Sequence, residues 1–138
     1  GKHSLALVNS DVTAFPTDLI KNNSIDKVIL DYNNISNLPA ADVMSSLKLK
    51  EMSLKGNAIS DITSLSGCNT LEFLDLTGNY VSDLSALFSC RFRSLFQMLL
   101  LFAICLHLKQ KGRCLCYTIL RIEQNRLCLN ILRSYILW

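Results

Sequence analysis

Apolar residues recur in one fixed frame from residue 2 to residue 90. In LEFLDLTGNYV, residues 71–81, they fall at Leu71, Leu74, Leu76 and Val81, with Asn79 two places before the last. The same five slots hold Leu49, Met52, Leu54, Asn57 and Ile59 in LKEMSLKGNAI, and Ile25, Val28, Leu30, Asn33 and Ile35 in IDKVILDYNNI. A degraded copy, KHSLALVNSDV, keeps Leu5, Leu7 and Val12 but has Lys2 in the first slot and Ser10 in place of Asn. The third apolar slot therefore returns at Leu7, Leu30, Leu54 and Leu76, in steps of 23, 24 and 22 residues.

Each copy carries two periods. The alternation at Val28 and Leu30, Met52 and Leu54, and Leu74 and Leu76 predicts a short strand with one buried face. Beyond Asn57 and Asn79, Ile59, Ile62 and Leu65 align with Val81, Leu84 and Leu87, and Asp61 aligns with Asp83. Apolar residues at every third position predict a tight helical turn or a short 3₁₀ segment packed on the strand layer. The return after Ile35, NLPAADVMSSLK, is longer and contains Pro39. Asn33, Asn57 and Asn79 stand where the chain leaves each strand. A buried amide there can serve backbone groups of the turn with its donors and acceptor, so these three read as a structural ladder.

This frame, LxxLxLxxNxL at steps of 22 to 24 residues, resembles that of the leucine-rich-repeat superfamily over residues 2–90. The resemblance implies an α/β solenoid with about four short parallel strands and 3₁₀ or short helical returns. Repeats are expected near residues 2–24, 25–48, 49–70 and 71–90, so that 1–90 is a solenoid and 91–138 a separate segment. It further implies a protein partner bound on the concave strand face, with no catalytic site and no cofactor.

If that register is right, the outward positions can be named. They are Ser4, Ala6 and Val8 in the first copy, then Lys27, Ile29, Asp31 and Tyr32, then Glu51, Ser53 and Lys55, then Phe73, Asp75 and Thr77. Those from Lys27 to Thr77 form the candidate partner-binding set. Stacking places Lys27 beside Glu51 and Asp31 beside Lys55, at the separation of adjacent strands. Tyr32, Ile29 and Phe73 are the expected exposed anchors, since such residues dominate interface energetics. Asn22 in NNS and Asn34 in NIS spell N-glycosylation acceptors, which matter only in a secreted chain.

Charge and composition divide the chain near residue 90. Through Phe88 there are six Lys, no Arg and ten Asp or Glu, a net of −4; from Ser89 there are eight Lys or Arg and one Glu, a net of +7. Four of the six Cys lie between Cys105 and Cys128. A fifth copy is due near residue 95, but Ala103 stands in its Asn slot, and the apolar run from Leu99 to Leu106 predicts a buried helix. The tail is therefore expected to be irregular and mainly helical. Its fourteen residues from Leu95 to Leu108 are short for a bilayer span, which needs about 20, so a membrane contact is not favoured. The late cysteines contain CxC without a CxxC pair, which argues against a zinc site.

Several functions are disfavoured by the same residues. Only His3 and His107 are available as imidazoles, and no GxGxxG or GKS/GKT phosphate loop occurs, so an enzyme is not expected. The cations of the tail are spread among Leu, Ile and Cys, which argues against nucleic-acid binding. Gly1 in place of Met points to processing or an incomplete N-terminus. The expected function is a protein–protein interaction module. Two alternatives stay open: an ectodomain fragment of a membrane receptor such as a receptor-like kinase, and a truncated or frameshifted repeat protein without its own activity. The compartment, cytoplasm or cell surface, is left open by the sequence.

Overall fold

The structure is a computed structural model and describes residues 3–81, 83, 85–88, 121–123 and 126–127. Strands β1 (Ser4–Ala6), β2 (Lys27–Ile29), β3 (Glu51–Ser53) and β4 (Phe73–Asp75) lie side by side in chain order, all parallel. Their register runs slot against slot: Leu5 opposite Val28, Val28 opposite Met52, and Met52 opposite Leu74. The chain returns from β1 through helix α1 (Thr17–Asn22) and from β2 through helix α2 (Ala41–Ser46). After β3 and β4 the return is a 3₁₀ segment, Thr63–Gly67 and Ser85–Phe88. Return type follows step length. The 23- and 24-residue steps leave room for an α-helix, while the 22-residue step from Leu54 to Leu76 is taken by the tighter turn.

The core lies between the strand layer and these returns. Val28, Leu30, Leu54 and Leu74 are fully enclosed, and Met52 is nearly so. Ile20, Met44, Leu65 and Leu87, one from each return, close the layer from the other side. Leu71, Val81, Ile59 and Ile35 seal the two ends of the strands. The first copy is looser: Leu5, Leu7 and Val12 are only partly buried, because no strand is paired to the outer side of β1 among the described residues.

Two further strands, β5 (Arg121–Glu123) and β6 (Arg126–Leu127), continue the sheet beyond β4. Both pairings are antiparallel, with Leu74 opposite Ile122, Asp75 opposite Arg121, and Ile122 opposite Leu127. This corrects the expectation of helix for these five residues. An open row of N–H and C=O groups on β4 favours an added strand over a helix, which satisfies its backbone internally and would leave the edge unpaired. The rest of the expected helical tail, with Leu95–Leu108 and the cysteines after Cys68, lies outside the described residues. Among the described residues no helix is long and apolar enough to cross a membrane. Cys68 is buried beneath the strand layer, and that burial pushes its thiol above the ordinary cysteine value.

Candidate binding face

The turn that ends each strand sets the geometry of the face. Asn57 Nδ2 donates to the carbonyls of Leu54 and Leu30, both at 2.9 Å, and its Oδ1 accepts the Ile35 N–H at 3.1 Å. Asn79 repeats this one copy later, donating to Leu76 and Leu54 and accepting from Ile59. Asn33 donates to Leu30 and Leu7 and accepts from Ser10 and Val12. One amide thus ties the end of its own strand to the strand before it. In the same slot of the first copy, the Ser10 hydroxyl donates locally to the Val8 carbonyl.

The residue before each of these turns is left-handed. Asn9, Tyr32, Gly56 and Gly78 have φ of +48°, +57°, +68° and +71°. Glycine adopts this conformation freely, whereas a bulky L-residue there is disfavoured by about 1–2 kcal/mol. Tyr32 keeps a large side chain in a slot that the next two copies give to glycine. Its ring lies over Gly56, where an added Cβ would stand 2.5 Å from Tyr32 Cδ1. Gly56→Ala is therefore expected to destabilise the protein by about 1–3 kcal/mol, from φ strain plus the collision. In a Tyr32→Gly background the collision is gone and the loss should shrink. Urea unfolding of the four members of that cycle measures the coupling.

The outward side chains follow the alternation. Lys27 and Tyr32 are exposed, while Ile29, Asp31, Glu51, Ser53, Lys55, Phe73, Asp75 and Thr77 are half-buried. Ile29 and Phe73 are thus less open than an isolated surface residue, because side chains of paired strands stand about 4.8 Å to their side. In the first copy Ser4, Ala6 and Val8 are all exposed. Lys27 Nζ lies 3.0 Å from Glu51 Oε2 on the adjacent strand. Both partners are open to solvent, so this pair contributes little to stability.

Asp31 meets the third copy differently from the side-by-side ion pair that stacking suggests. Its Oδ1 accepts the Ser53 hydroxyl at 2.6 Å and the Lys55 backbone N–H at 3.1 Å. The Lys55 ammonium instead stands 5.7 Å from the centre of the Tyr32 ring, at the outer limit of a cation–π contact. The Tyr32 hydroxyl, followed by the carboxylates of Asp75 and Asp31, holds Lys55 above the usual lysine value. Asp75 in turn accepts the Thr77 N–H at 2.9 Å. This part of the face is a linked polar patch around one exposed aromatic ring.

The opposite side of the sheet offers less. A shallow cavity of about 450 Å³ is lined by residues 37–41 with Asp61, Thr63 and Ser64. Asp61 Oδ1 accepts the Thr63 N–H and hydroxyl, which hold its carboxyl below the usual 3.8. A carboxyl depressed in the fold adds stability above its unfolded value and loses it as pH falls through the folded value. The stability gap between the native chain and Asp61→Ala should therefore be constant from pH 7 to pH 5 and close below about pH 4, as urea midpoints across that range would show. Among the described residues no group of His, Cys, Asp or Glu is arranged to hold a metal ion. Both glycosylation acceptors, Asn22 and Asn34, are exposed.

Sequence reasoning missed the left-handed slot. Its signal was available in the recurring Gly-Asn of KGNAI and TGNYV, against Tyr-Asn in DYNNI. It also missed Tyr80, which follows the last Asn and is 59% exposed. A family model for the leucine rich repeat matches residues 23–81, covering the three regular copies and leaving out the degraded first one. No curated protein matches the chain.

Proposed function

We propose that this chain, whose residues 23–81 are a leucine-rich-repeat segment, binds a protein partner through the outward face of strands β1 to β4. Segments of this kind generally serve protein–protein interaction and not catalysis. The observation that carries the reading is the division of labour within each copy. Inward side chains and the Asn amides meet the demands of the core and backbone, so the outward residues are the ones a regularly spaced sheet presents to a ligand. Lys27, Ile29, Asp31, Tyr32, Glu51, Ser53, Lys55, Phe73, Asp75 and Thr77 are the proposed contact residues.

Site-specific photo-crosslinking in cells tests this. A photoreactive residue replacing Lys55 or Ser53 should capture a discrete protein, and one replacing Asp42 on α2 should not. Capture only from the α2 side, or from neither, overturns the assignment of the face. The exposure of Asn22 and Asn34 supports a second reading, a receptor ectodomain. That reading requires glycan on the natural protein, which enzymatic deglycosylation followed by mass spectrometry would detect.

A further inference from the structure

We infer that the outer edge of the fourth copy, from Leu74 to Gly78, docks an extended segment of a protein partner that displaces β5 and sets an aliphatic residue level with Leu74 and a basic one level with Asp75. This edge adjoins the proposed face but is a separate surface. Its backbone donors come first. In the earlier copies the N–H groups of Leu7, Leu30 and Leu54 each reach the next strand, 2.9 Å from the carbonyls of Ile29, Ser53 and Asp75. Two residues further on, those of Asn9, Tyr32 and Gly56 do the same with the carbonyls of Asp31, Lys55 and Thr77, at 3.0, 2.7 and 2.7 Å. Leu76 and Gly78 hold these two slots in the fourth copy, and their N–H groups find no acceptor among the described residues. Gly78 is open to solvent, whereas Leu76 is enclosed. An enclosed donor left unmatched is costly, so a segment offering carbonyls to both groups satisfies this edge better than β5, which pairs only at Leu74 and Asp75.

The hold of β5 on this edge is slight. It meets β4 at two levels, against three for each parallel pair. The Asn amides add nothing to it, because Asn33, Asn57 and Asn79 each tie a strand to the one before. A two-stranded hairpin is marginal by itself, and elements of low local stability are the ones that open. The same hairpin displays the chemistry that the edge accepts. Its register sets Ile122 level with Leu74, an inward slot, and Arg121 level with Asp75, an outward one. Asp75 is fixed there by the Thr77 N–H, which its Oδ1 accepts at 2.9 Å. The chain through Phe88 carries a net charge of −4, which favours a basic ligand over an acidic one.

The test uses the isotope-labelled full chain and a synthetic peptide copying residues 118–124, TILRIEQ. Amide hydrogen exchange followed by NMR reads the edge directly. In the free chain the Leu76 and Gly78 amides should exchange faster than those of Leu54 and Gly56, and adding the peptide should protect both. The peptide should bind about tenfold more tightly to the full chain carrying Ile122→Asp, where the tethered competitor is weakened. A peptide carrying Arg121→Glu should bind the native chain less well and recover on Asp75→Lys. Exchange at Leu76 and Gly78 as slow in the free chain as at Leu54 and Gly56 would overturn the inference. Binding that is no tighter in Ile122→Asp, or that protects Lys27 to Tyr32 instead, would overturn it while leaving the face standing. Self-association of the full chain that protects the same amides without peptide would assign the edge to a second copy and overturn the partner.

Discussion

Asn57→Ala should destabilise the protein by about 2–4 kcal/mol, since one buried N–H loses its acceptor, at about 1–3 kcal/mol, while two buried carbonyls each lose one of two amide donors and keep those of Asn33 and Asn79. The groups are the carbonyls of Leu54 and Leu30 and the N–H of Ile35. Leu54 and Leu30 are themselves fully enclosed, so water cannot easily replace the amide. Asn57→Asp should be nearly as damaging, although the shape is kept, because a carboxylate cannot donate to two carbonyls. Asn33→Ala should be milder. Its partners Ser10 and Val12 sit in the looser first copy and are only partly shielded. Urea denaturation followed by circular dichroism would rank the three substitutions. Equal losses at Asn33 and Asn57 would show that the ladder does not depend on burial.

Leu54→Ala is expected to lose about 3–4 kcal/mol, within the range seen when a large core side chain is cut back and its cavity stays open. Leu54 has no exposed surface and stands in the same slot as Leu30 and Leu76 on either side, both of which are enclosed in the core. Neither neighbour can collapse into the gap without breaking the register that pairs β2, β3 and β4. Leu7→Ala, in the equivalent slot of the first copy, removes a side chain that is only partly buried and should lose roughly half as much. The two central substitutions touch one hydrogen-bonded unit, because Asn57 donates to the Leu54 carbonyl. Their effects should therefore not add, and the double variant measures the shared part. In a chain of stacked copies, damage at the third also weakens its contacts with the second and fourth.

The inward half of this protein was legible in the chain itself. Every regular apolar slot from Val28 to Val81 is buried, and the three Asn are buried with them, because a period of two and a step of 22 to 24 residues leave only one way to enclose those side chains. The outward half was legible only as a list. Which residues share a face follows from alternation, and the pairing of Lys27 with Glu51 follows from register. What those side chains do there depended on backbone groups of the next copy.

Asp31 shows the difference. Its sequence neighbours suggest an ion pair with Lys55, but the nearest donors in the fold are the Ser53 hydroxyl and a backbone N–H, which draw its carboxylate down to the strand end. Tyr32 shows it again. Its left-handed backbone is imposed by the turn geometry, and its ring finds room only because residue 56, in the next copy, lacks a side chain. The pairing of β5 with β4 joins residues far apart in the chain and has no periodic signature at all. Local pattern alone determined the repeat, its strands and its core, since burial of a regular apolar series is decided by spacing. The strained tyrosine, the capped aspartate and the cover on the last parallel strand were decided by tertiary structure, because each depends on a backbone group or an empty space contributed by a different copy or segment.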